Sequence, residues 1–149
     1  MSIATNRTLV RQALAEVWNG LNLELADRLF DPSYINHGGI IPDLITGPES
    51  IKFAVVLQHA AFPRLQIRER ALAEEENVVE LKWVARGGQR PQDRAAGARH
   101  FLARGTTLIR CADGQIAESW TTWDCPVQES ADAAHRRRRP AVPRFRLAG

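Results

Sequence analysis

The sequence has few of the residues and motifs on which metal, redox and nucleotide chemistry depend. It contains only two cysteines, Cys111 and Cys125, which form no CxxC or mixed Cys/His pattern, so two buried thiols are expected. The chain also lacks the GxxxxGK, GxGxxG and GxSxG signatures of phosphate binding, dinucleotide binding and serine hydrolysis. We therefore expect neither a cofactor nor a metal ion.

Long apolar runs are also missing. No stretch approaches the roughly 20 residues that a membrane-spanning helix requires. The first residues, MSIATNRTLV, lack the basic start and the apolar segment of a secretory signal. Together with the absence of a disulfide framework, these features predict a cytoplasmic protein that has no membrane partner.

Acidic residues are missing from the C-terminal end, where the basic charge is concentrated. The formal net charge is +3, but six of the 20 basic residues are arginines within residues 135–149. The rest of the chain holds 14 basic and 17 acidic residues, so a uniformly basic surface for nucleic acid is not expected. We predict one domain over residues 1–128 and a flexible, arginine-rich tail over residues 129–149.

Two helices are predicted at the start of the chain. Apolar residues at helical spacing indicate a first helix from about Asn6 to Asn19, and Gly20 is expected to supply the left-handed turn that ends many helices. Asn22 is expected to cap a short second helix. That helix should stop before Pro32, because proline disfavours helical geometry in the residue that precedes it.

A third helix has a sequence signal at each end. Thr46 and Glu49 fit a capping box, with Pro48 in the first turn. The helix should end where Phe62 precedes a proline. Residues 34–37, between the second and third helices, are expected to be extended.

The period of the hydrophobic pattern then changes from about 3.6 residues to 2, which indicates strands. A polar stretch at 87–97 is typical of a loop, and Asp113-Gly114 predicts a hairpin turn. Three helices followed by antiparallel strands make an α+β fold in which the helices cover one face of the sheet. The predicted strands lie at about 65–70, 79–86, 100–111 and 116–124.

Three segments follow one another in an order typical of a known family: LVRQALAEVWNGLNLELADRLFDPSYINH, ITGPESIKFAVVLQHAAFPRL and TTLIRCADGQIAESWTTWD. In these segments the chain resembles the SnoaL-like polyketide cyclases, a branch of the nuclear transport factor 2-like superfamily that also holds ketosteroid isomerase and limonene epoxide hydrolase. The resemblance implies a cone-shaped, strongly curved sheet around an apolar pocket that the helices close. It also implies a hydrophobic small-molecule substrate and a homodimer.

The chain departs from that family where the cyclases hold their catalytic pair. The resemblance places the family's general acid at or beside Thr121, and an assisting histidine near Thr107. A threonine cannot serve as a carboxylate base near neutral pH. The loop segment GGQRPQDRAAGARHFLARG is also rewritten, which would change the mouth of the pocket.

Asp124 and His37 are the candidate proton carriers. Asp124 follows Trp123 at the end of the last strand, where apolar burial would raise its pKa toward the range of a general acid or base. The alternative is an exposed residue that caps the strand or pairs with an arginine. His37 lies where the family often has a polar residue facing the pocket, and histidine titrates near neutral pH. Its alternative is a hydrogen-bonded structural role.

Asn36 and the four tryptophans are candidate substrate-binding residues. Asn36 matches an asparagine that the cyclases use near the substrate, and by strand alternation it should not share a face with its neighbour His37. A pocket for a flat hydrophobic ligand would be lined by large rings, although core packing is the ordinary role of any one of them. Without a bulge, Trp120 and Trp123 cannot share a face. The rings are Trp18, Trp83, Trp120 and Trp123.

Two further residues have a binding role and a bland role as alternatives. His59 either lines the pocket from the third helix or is a surface or hydrogen-bonded histidine. Arg104 either binds an anionic or carbonyl substrate or faces solvent. An epoxide hydrolase would need two pocket acids bridged by an arginine, for which Glu118 is the only nearby second acid beside Asp124.

Two classes of function therefore remain open. One is a cofactor-independent enzyme that performs cyclase- or isomerase-type acid–base chemistry on a polyketide-like or terpenoid-like molecule. The other is a non-catalytic ligand-binding or accessory protein, favoured by Thr107 and Thr121 at the positions of the cyclase pair. Epoxide hydrolysis is a weaker third possibility.

Overall fold

The first helix of the protein changes geometry half-way along. The computed structural model describes residues 5–38, 45–87 and 101–125. Helix α1 (Thr5–Gln12) is α-helical and continues directly into a π-helical segment (Ala13–Trp18). At its end the amide of Asn19 donates to the carbonyl of Leu14, five residues back, over 3.0 Å. The wider turn was not predicted, since a π-helix shares the amphipathic pattern of an α-helix over so short a stretch.

The end of this helix corrects one expectation. Leu21, with φ of 57°, takes the left-handed conformation, and Gly20 does not. Gly20 is needed for space, because a Cβ there would lie 2.7 Å from the carbonyl oxygen of Glu16. The predicted turn is therefore present one residue later than expected.

Helix α2 (Leu23–Leu29) begins at the predicted cap. The side-chain oxygen of Asn22 accepts a hydrogen bond from the amide of Leu25 over 3.4 Å. The buried side chains of α2 face the core, and the next residue, Phe30, is already extended. The second helix is thus shorter than its apolar pattern alone suggests.

Helix α3 (Pro48–Ala61) starts differently from the prediction. The N-cap is Gly47, and no side chain caps the helix, so the predicted capping box of Thr46 and Glu49 is wrong. Gly47 has φ of 79°, and a Cβ there would lie 2.6 Å from the carbonyl oxygen of Pro32. Glu49 forms an ion pair with Lys52 instead.

Five strands form one curved, open sheet in the order β1-β5-β4-β3-β2. The pairing of β1 with β5 is parallel, and the other three pairings are antiparallel. This arrangement confirms the predicted α+β class. The strands are β1 (Phe30–His37), β2 (Gln66–Glu75), β3 (Val78–Gly87), β4 (Phe101–Ala112) and β5 (Gln115–Cys125).

The hairpin between β4 and β5 turns at the predicted dipeptide. Asp113 and Gly114 both have positive φ, 52° and 78°, as a two-residue turn matched to the twist of the strands requires. Further along this pair the register shifts between Arg110 and Cys111, and again between Arg104 and Gly105. Bulges of this kind bend a sheet and increase its twist.

The core lies between the helices and the concave face of the sheet. Val10, Val17 and Val55 from the helices are fully or almost fully buried, in one core cluster with residues of β3, β4 and β5. Cys111 is buried with them, and burial raises the pKa of its thiol to about 12, so it stays protonated at neutral pH. None of the helices in the described ranges is long and apolar enough to span a bilayer.

Polar contacts fix the first helix to β2 at two points. Arg11 makes two bonds of 2.9 Å to the carboxylate of Glu69. The Asn19 side chain donates to the carbonyl of Ile67 and accepts from its amide, both over 2.8 Å, as a neighbouring strand would. Most of the loop predicted at 87–97, and the tail predicted at 129–149, lie outside the described residues.

Candidate functional site

A cavity of about 710 Å³ lies between the helices and the concave face of the sheet. Leu57 lines it and is 37% exposed, so the cavity opens to solvent beside α3. Most of the wall is aliphatic or aromatic. The apolar side chains are Val10, Ala13, Leu14, Trp18, Phe30, Ile51, Ala54, Leu57, Ala61, Phe62, Leu65, Ile67, Leu81, Trp83, Ala85, Ile109, Ile116 and Trp123.

The described wall of this cavity carries no charged side chain. Its only titratable group is Tyr34, and complete burial raises the pKa of that phenol well above its usual value of 10. Within the described ranges no group of three or more His, Cys, Asp or Glu side chains is placed to hold a metal ion. The polar groups of the described wall are therefore neutral at physiological pH.

One polar cluster joins β1 to β5. The hydroxyls of Tyr34 and Ser119 are 2.6 Å apart, and Ser119 donates to the Asn36 side-chain oxygen over 3.2 Å. All three residues are less than 10% exposed and line the cavity. Because Ser119 donates its only hydroxyl hydrogen to Asn36, Tyr34 must be the donor to Ser119.

A second polar cluster crosses β3, β4 and β5. The indole N–H of Trp83 donates to Thr107 Oγ1 over 2.9 Å, and Thr107 Oγ1 lies 3.0 Å from Thr121 Oγ1. Thr107 and Thr121 are direct register partners, as are Asn36 and Ser119 in the first cluster. Ser119 and Thr121 are two residues apart on β5, so the clusters are separated by roughly 7 Å.

Five of the predicted binding residues lie on the cavity wall. They are Trp18, Asn36, Trp83, Thr121 and Trp123. Trp83 and Trp123 pack edge to face, with ring centroids 5.3 Å apart. The π-helical segment brings Trp18 to the same wall.

His37 and Trp120 lie together on the opposite, outer face of the sheet. Their rings stack with centroids 5.3 Å apart, and His37 Nε2 is 2.8 Å from a carboxylate oxygen of Glu118. Asn36 faces the cavity, so its neighbour His37 must face away, as strand alternation requires. The expectation that His37 faces the pocket is therefore wrong.

His59 and Arg104 are also absent from the cavity wall. His59 Nε2 bonds to the carbonyl oxygen of Trp18 over 2.6 Å, which ties α3 to the end of the π-helical segment. Arg104 is exposed. His59 therefore has the hydrogen-bonded role that the sequence left open as an alternative. Arg104 likewise has the solvent-facing role.

Glu118 cannot be the second acid of a hydrolase site in this cavity. It lies on the outer face, where it also bonds to Arg110 over 3.1 Å. Burial opposes its ionisation, but the hydrogen bonds from His37 and Arg110 outweigh that effect and lower its pKa. Neither Glu118 nor Arg104 supplies the acid–arginine arrangement that epoxide hydrolysis would need.

Asp124 belongs to β5, but only its backbone is within the described part of the structure. Its neighbours Trp123 and Cys125 pair with Gly105 and Arg104, so Asp124 falls at the register shift between them. Its role as a proton carrier stays a prediction.

The sequence reasoning missed two of the three residues of the first polar cluster. Tyr34 and Ser119 form the first cluster, although only Asn36 was singled out from it. Strand period would have found them, because Tyr34 shares the parity of Asn36, and Ser119 shares that of Thr121.

Comparison with known proteins places this geometry in a family. The model of the SnoaL-like polyketide cyclases matches residues 8–128. The chain belongs to that family. No functionally curated protein sequence matches it.

Solved structures share the fold at low identity. A proposed polyketide cyclase from Acidithiobacillus ferrooxidans is 20% identical with a TM-score of 0.69, over 83% of this chain and 92% of the other. TsrD from Streptomyces laurentii is 21% identical with a TM-score of 0.66, over 83% and 91%. A SnoaL-like polyketide cyclase from Agrobacterium tumefaciens is 14% identical with a TM-score of 0.67, over 83% and 93%.

Proposed function

We propose that this family member is an acid–base enzyme of the cyclase or isomerase type, acting on an uncharged, flat, hydrophobic molecule that carries carbonyl oxygens. The observation that carries the proposal is the cavity of about 710 Å³ with an uncharged described wall and two polar clusters. Ligand cavities of roughly 300–1,000 Å³ enclose most of a drug-sized molecule.

The neutral wall selects the charge of the ligand. A carboxylate or ammonium group would lose its hydration on entering, and no described wall residue carries a compensating charge. A neutral ring system is instead stabilised by contact with aromatic side chains such as Trp18, Trp83 and Trp123. The substrate is therefore expected to enter uncharged.

Asn36 is positioned to bind an oxygen of that ligand. Its side-chain oxygen is occupied by Ser119, and within the described ranges no group accepts its two amide hydrogens. Those hydrogens are available to a carbonyl in the cavity, where they would also stabilise the negative charge of an enolate. The relay from Tyr34 through Ser119 fixes the orientation of the amide.

Proton transfer is assigned to Asp124. Tyr34 stays protonated because of its raised pKa, and His37 faces away from the cavity. Asp124 directly follows the wall residue Trp123 and falls at the register shift between β4 and β5, where a bulge interrupts the strict alternation of faces. The proposed step takes a proton from the carbon next to the bound carbonyl onto the Asp124 carboxylate, leaves an enolate, and returns the proton at a second position.

Deuterium exchange into 2-tetralone tests this step without knowledge of the natural substrate. The protein should accelerate exchange at the carbons beside the carbonyl in D₂O, followed by NMR. Asp124→Asn removes the base and should reduce the acceleration by about 10²- to 10⁴-fold. Asp113→Asn, at the exposed hairpin turn, is the matched control and should leave it unchanged. Full acceleration by Asp124→Asn would refute the assignment.

A second candidate function is non-catalytic binding of the same class of molecule. It is favoured by the described cavity wall, which has no carboxylate, imidazole, amine or thiol. The exchange experiment separates the two, because a binding protein would take up 2-tetralone and leave its exchange at the buffer rate.

A further inference from the structure

The Trp83–Thr107–Thr121 cluster has one more hydrogen than it uses. The indole N–H and the two threonine hydroxyls supply three hydrogens, and two of these serve the bonds from Trp83 to Thr107 and between the threonines. Whichever threonine donates to the other, one O–H remains. Within the described ranges no protein group accepts it, and both threonines line the cavity.

Gly105 leaves the space that the Trp83 indole of this cluster occupies. Gly105 is the register partner of Trp83, and a Cβ at Gly105 would lie 2.3 Å from Trp83 Cζ2. The absent side chain therefore lets the indole lie across the backbone of β4, with its N–H aimed at Thr107. Trp123 packs edge to face against the same indole.

We propose that Thr107 donates to Thr121 and that the Thr121 O–H binds one neutral carbonyl oxygen of the ligand, with Thr107, Trp83 and Gly105 as positioning residues. This inference rests on the proposed function, since it requires an apolar ligand in the cavity. A single surplus donor matches an acceptor-only oxygen, such as that of a ketone or quinone. A carboxylate does not fit, because the described wall offers no cation to offset its desolvation.

The subsite is a hydrogen-bonding site and not an acid–base pair. Threonine hydroxyls do not titrate near neutral pH, so the cluster polarises a carbonyl without exchanging a proton with it. The resemblance places the cyclases' acid and histidine at these two positions. This chain therefore keeps a contact with the ligand at the same point of the wall and moves any proton transfer elsewhere.

The test compares 9-fluorenone with fluorene, two flat tricyclic probes that differ in one carbonyl. Binding is measured by calorimetry to the wild type and to Thr121→Val, which keeps the shape of the side chain and removes the hydroxyl. We expect fluorenone to bind about 3- to 30-fold more weakly to the variant, and fluorene to bind within twofold of the wild type. The infrared carbonyl band of fluorenone should lie at higher frequency when bound to the variant than when bound to the wild type.

Two variants control the measurement. Thr122→Val makes the same change on the next residue, whose side chain faces the outer side of the sheet, and should alter neither affinity. Thr121→Ser restores a hydroxyl and should restore both the fluorenone affinity and the band position. Circular dichroism verifies folding of each variant, and Thr121→Ala, which also lacks the hydroxyl, takes the place of the valine variant if that one unfolds.

The outcomes separate this inference from the proposed function. If Thr121→Val weakens the binding of both probes equally, or of neither, the carbonyl subsite is overturned, while the proposal of an apolar ligand cavity is unaffected. Failure of the wild type to bind either probe overturns the proposed apolar ligand and the subsite with it. A carbonyl band that does not respond to Thr121→Val also overturns the subsite.

Discussion

Gly105 shows how a residue without a side chain determines the shape of the cavity. Its φ is not in the left-handed region, so the backbone itself would accept alanine. The constraint comes from Trp83, whose six-membered ring occupies the space of the missing methyl group. Any destabilisation on replacing Gly105 should therefore depend on what stands at position 83.

Gly105→Ala should lower the free energy of unfolding by about 1–3 kcal/mol, the usual cost of forcing an extra carbon into a packed wall. Urea denaturation followed by tryptophan fluorescence measures it. Arg104→Ala, an exposed change on the same strand, should stay within about 0.5 kcal/mol of the wild type.

A double-mutant cycle identifies the cause. In a Trp83→Phe background the ring that blocks the methyl group is smaller, so the cost of Gly105→Ala should shrink. An equal cost in both backgrounds would mean that the alanine acts on something other than Trp83.

The sequence predicted some site residues and not others for one physical reason. Strand alternation assigns each residue to a face, and it correctly separated Asn36 from His37 and Trp123 from Trp120. It does not say which face is concave, because that depends on where the helices pack. His37 was therefore assigned to the pocket by position along the family's motif, and its ring stacks on the other side.

At the scale of elements, β1 is an edge strand that depends on β5. Its pairing is parallel and irregular near Phe30, and side chains reinforce it on both faces. On the inner face Asn36 bonds to Ser119, and on the outer face His37 bonds to Glu118. Arg110 on β4 binds the same carboxylate, so Glu118 links three strands.

This link predicts a pH dependence of stability. The pKa of Glu118 is lowered in the folded protein, so its ionised form stabilises the fold above its ordinary pKa of 4.5. That contribution is lost as the pH falls through the lowered folded value. Glu118→Gln should therefore have a melting temperature that falls less between pH 5 and pH 3 than that of the wild type.

Scanning calorimetry across this pH range makes the measurement. Glu16→Gln, an exposed change on the π-helical segment, should follow the wild-type curve. If Glu118→Gln follows it as well, the carboxylate does not hold β1 on the sheet.

Elements with local signals were predicted well, and those that depend on distant contacts were not. The β4–β5 turn is fixed by two adjacent residues, Asp113 and Gly114, and it forms as predicted. The start of α3 moved from Thr46 to Gly47 because the chain passes close to Pro32, which no local pattern reveals. The π-helical segment likewise ends where Asn19 bonds to Ile67, 48 residues away.

At the scale of the whole molecule, we propose the homodimer that the family resemblance implies. The described helices pack on the cavity side of the sheet, and its outer face holds the ring of Trp120 stacked on His37. A symmetric pair of sheets would cover this face with itself. Analytical ultracentrifugation at micromolar concentration should give twice the chain mass.

Trp120→Arg places a charge in that face and should give the mass of one chain while the protein remains folded by circular dichroism. Val56→Arg, the same kind of change at an exposed residue of α3 on the other side of the sheet, should remain dimeric. A wild-type protein with the mass of one chain would refute the dimer.

The parallel pairing of β1 with β5 has a consequence for the order of events during synthesis. The ribosome completes β1 at His37, but the strand that pairs with it ends 88 residues later, at Cys125. At about 5–20 residues per second, the wait is roughly 4–18 seconds. Throughout it β1 has no strand to pair with, although β2, β3 and β4 can already pair with one another as each is completed. The growing chain therefore has a long interval in which chaperones can bind it, and the cavity closes only after β5 has left the ribosome.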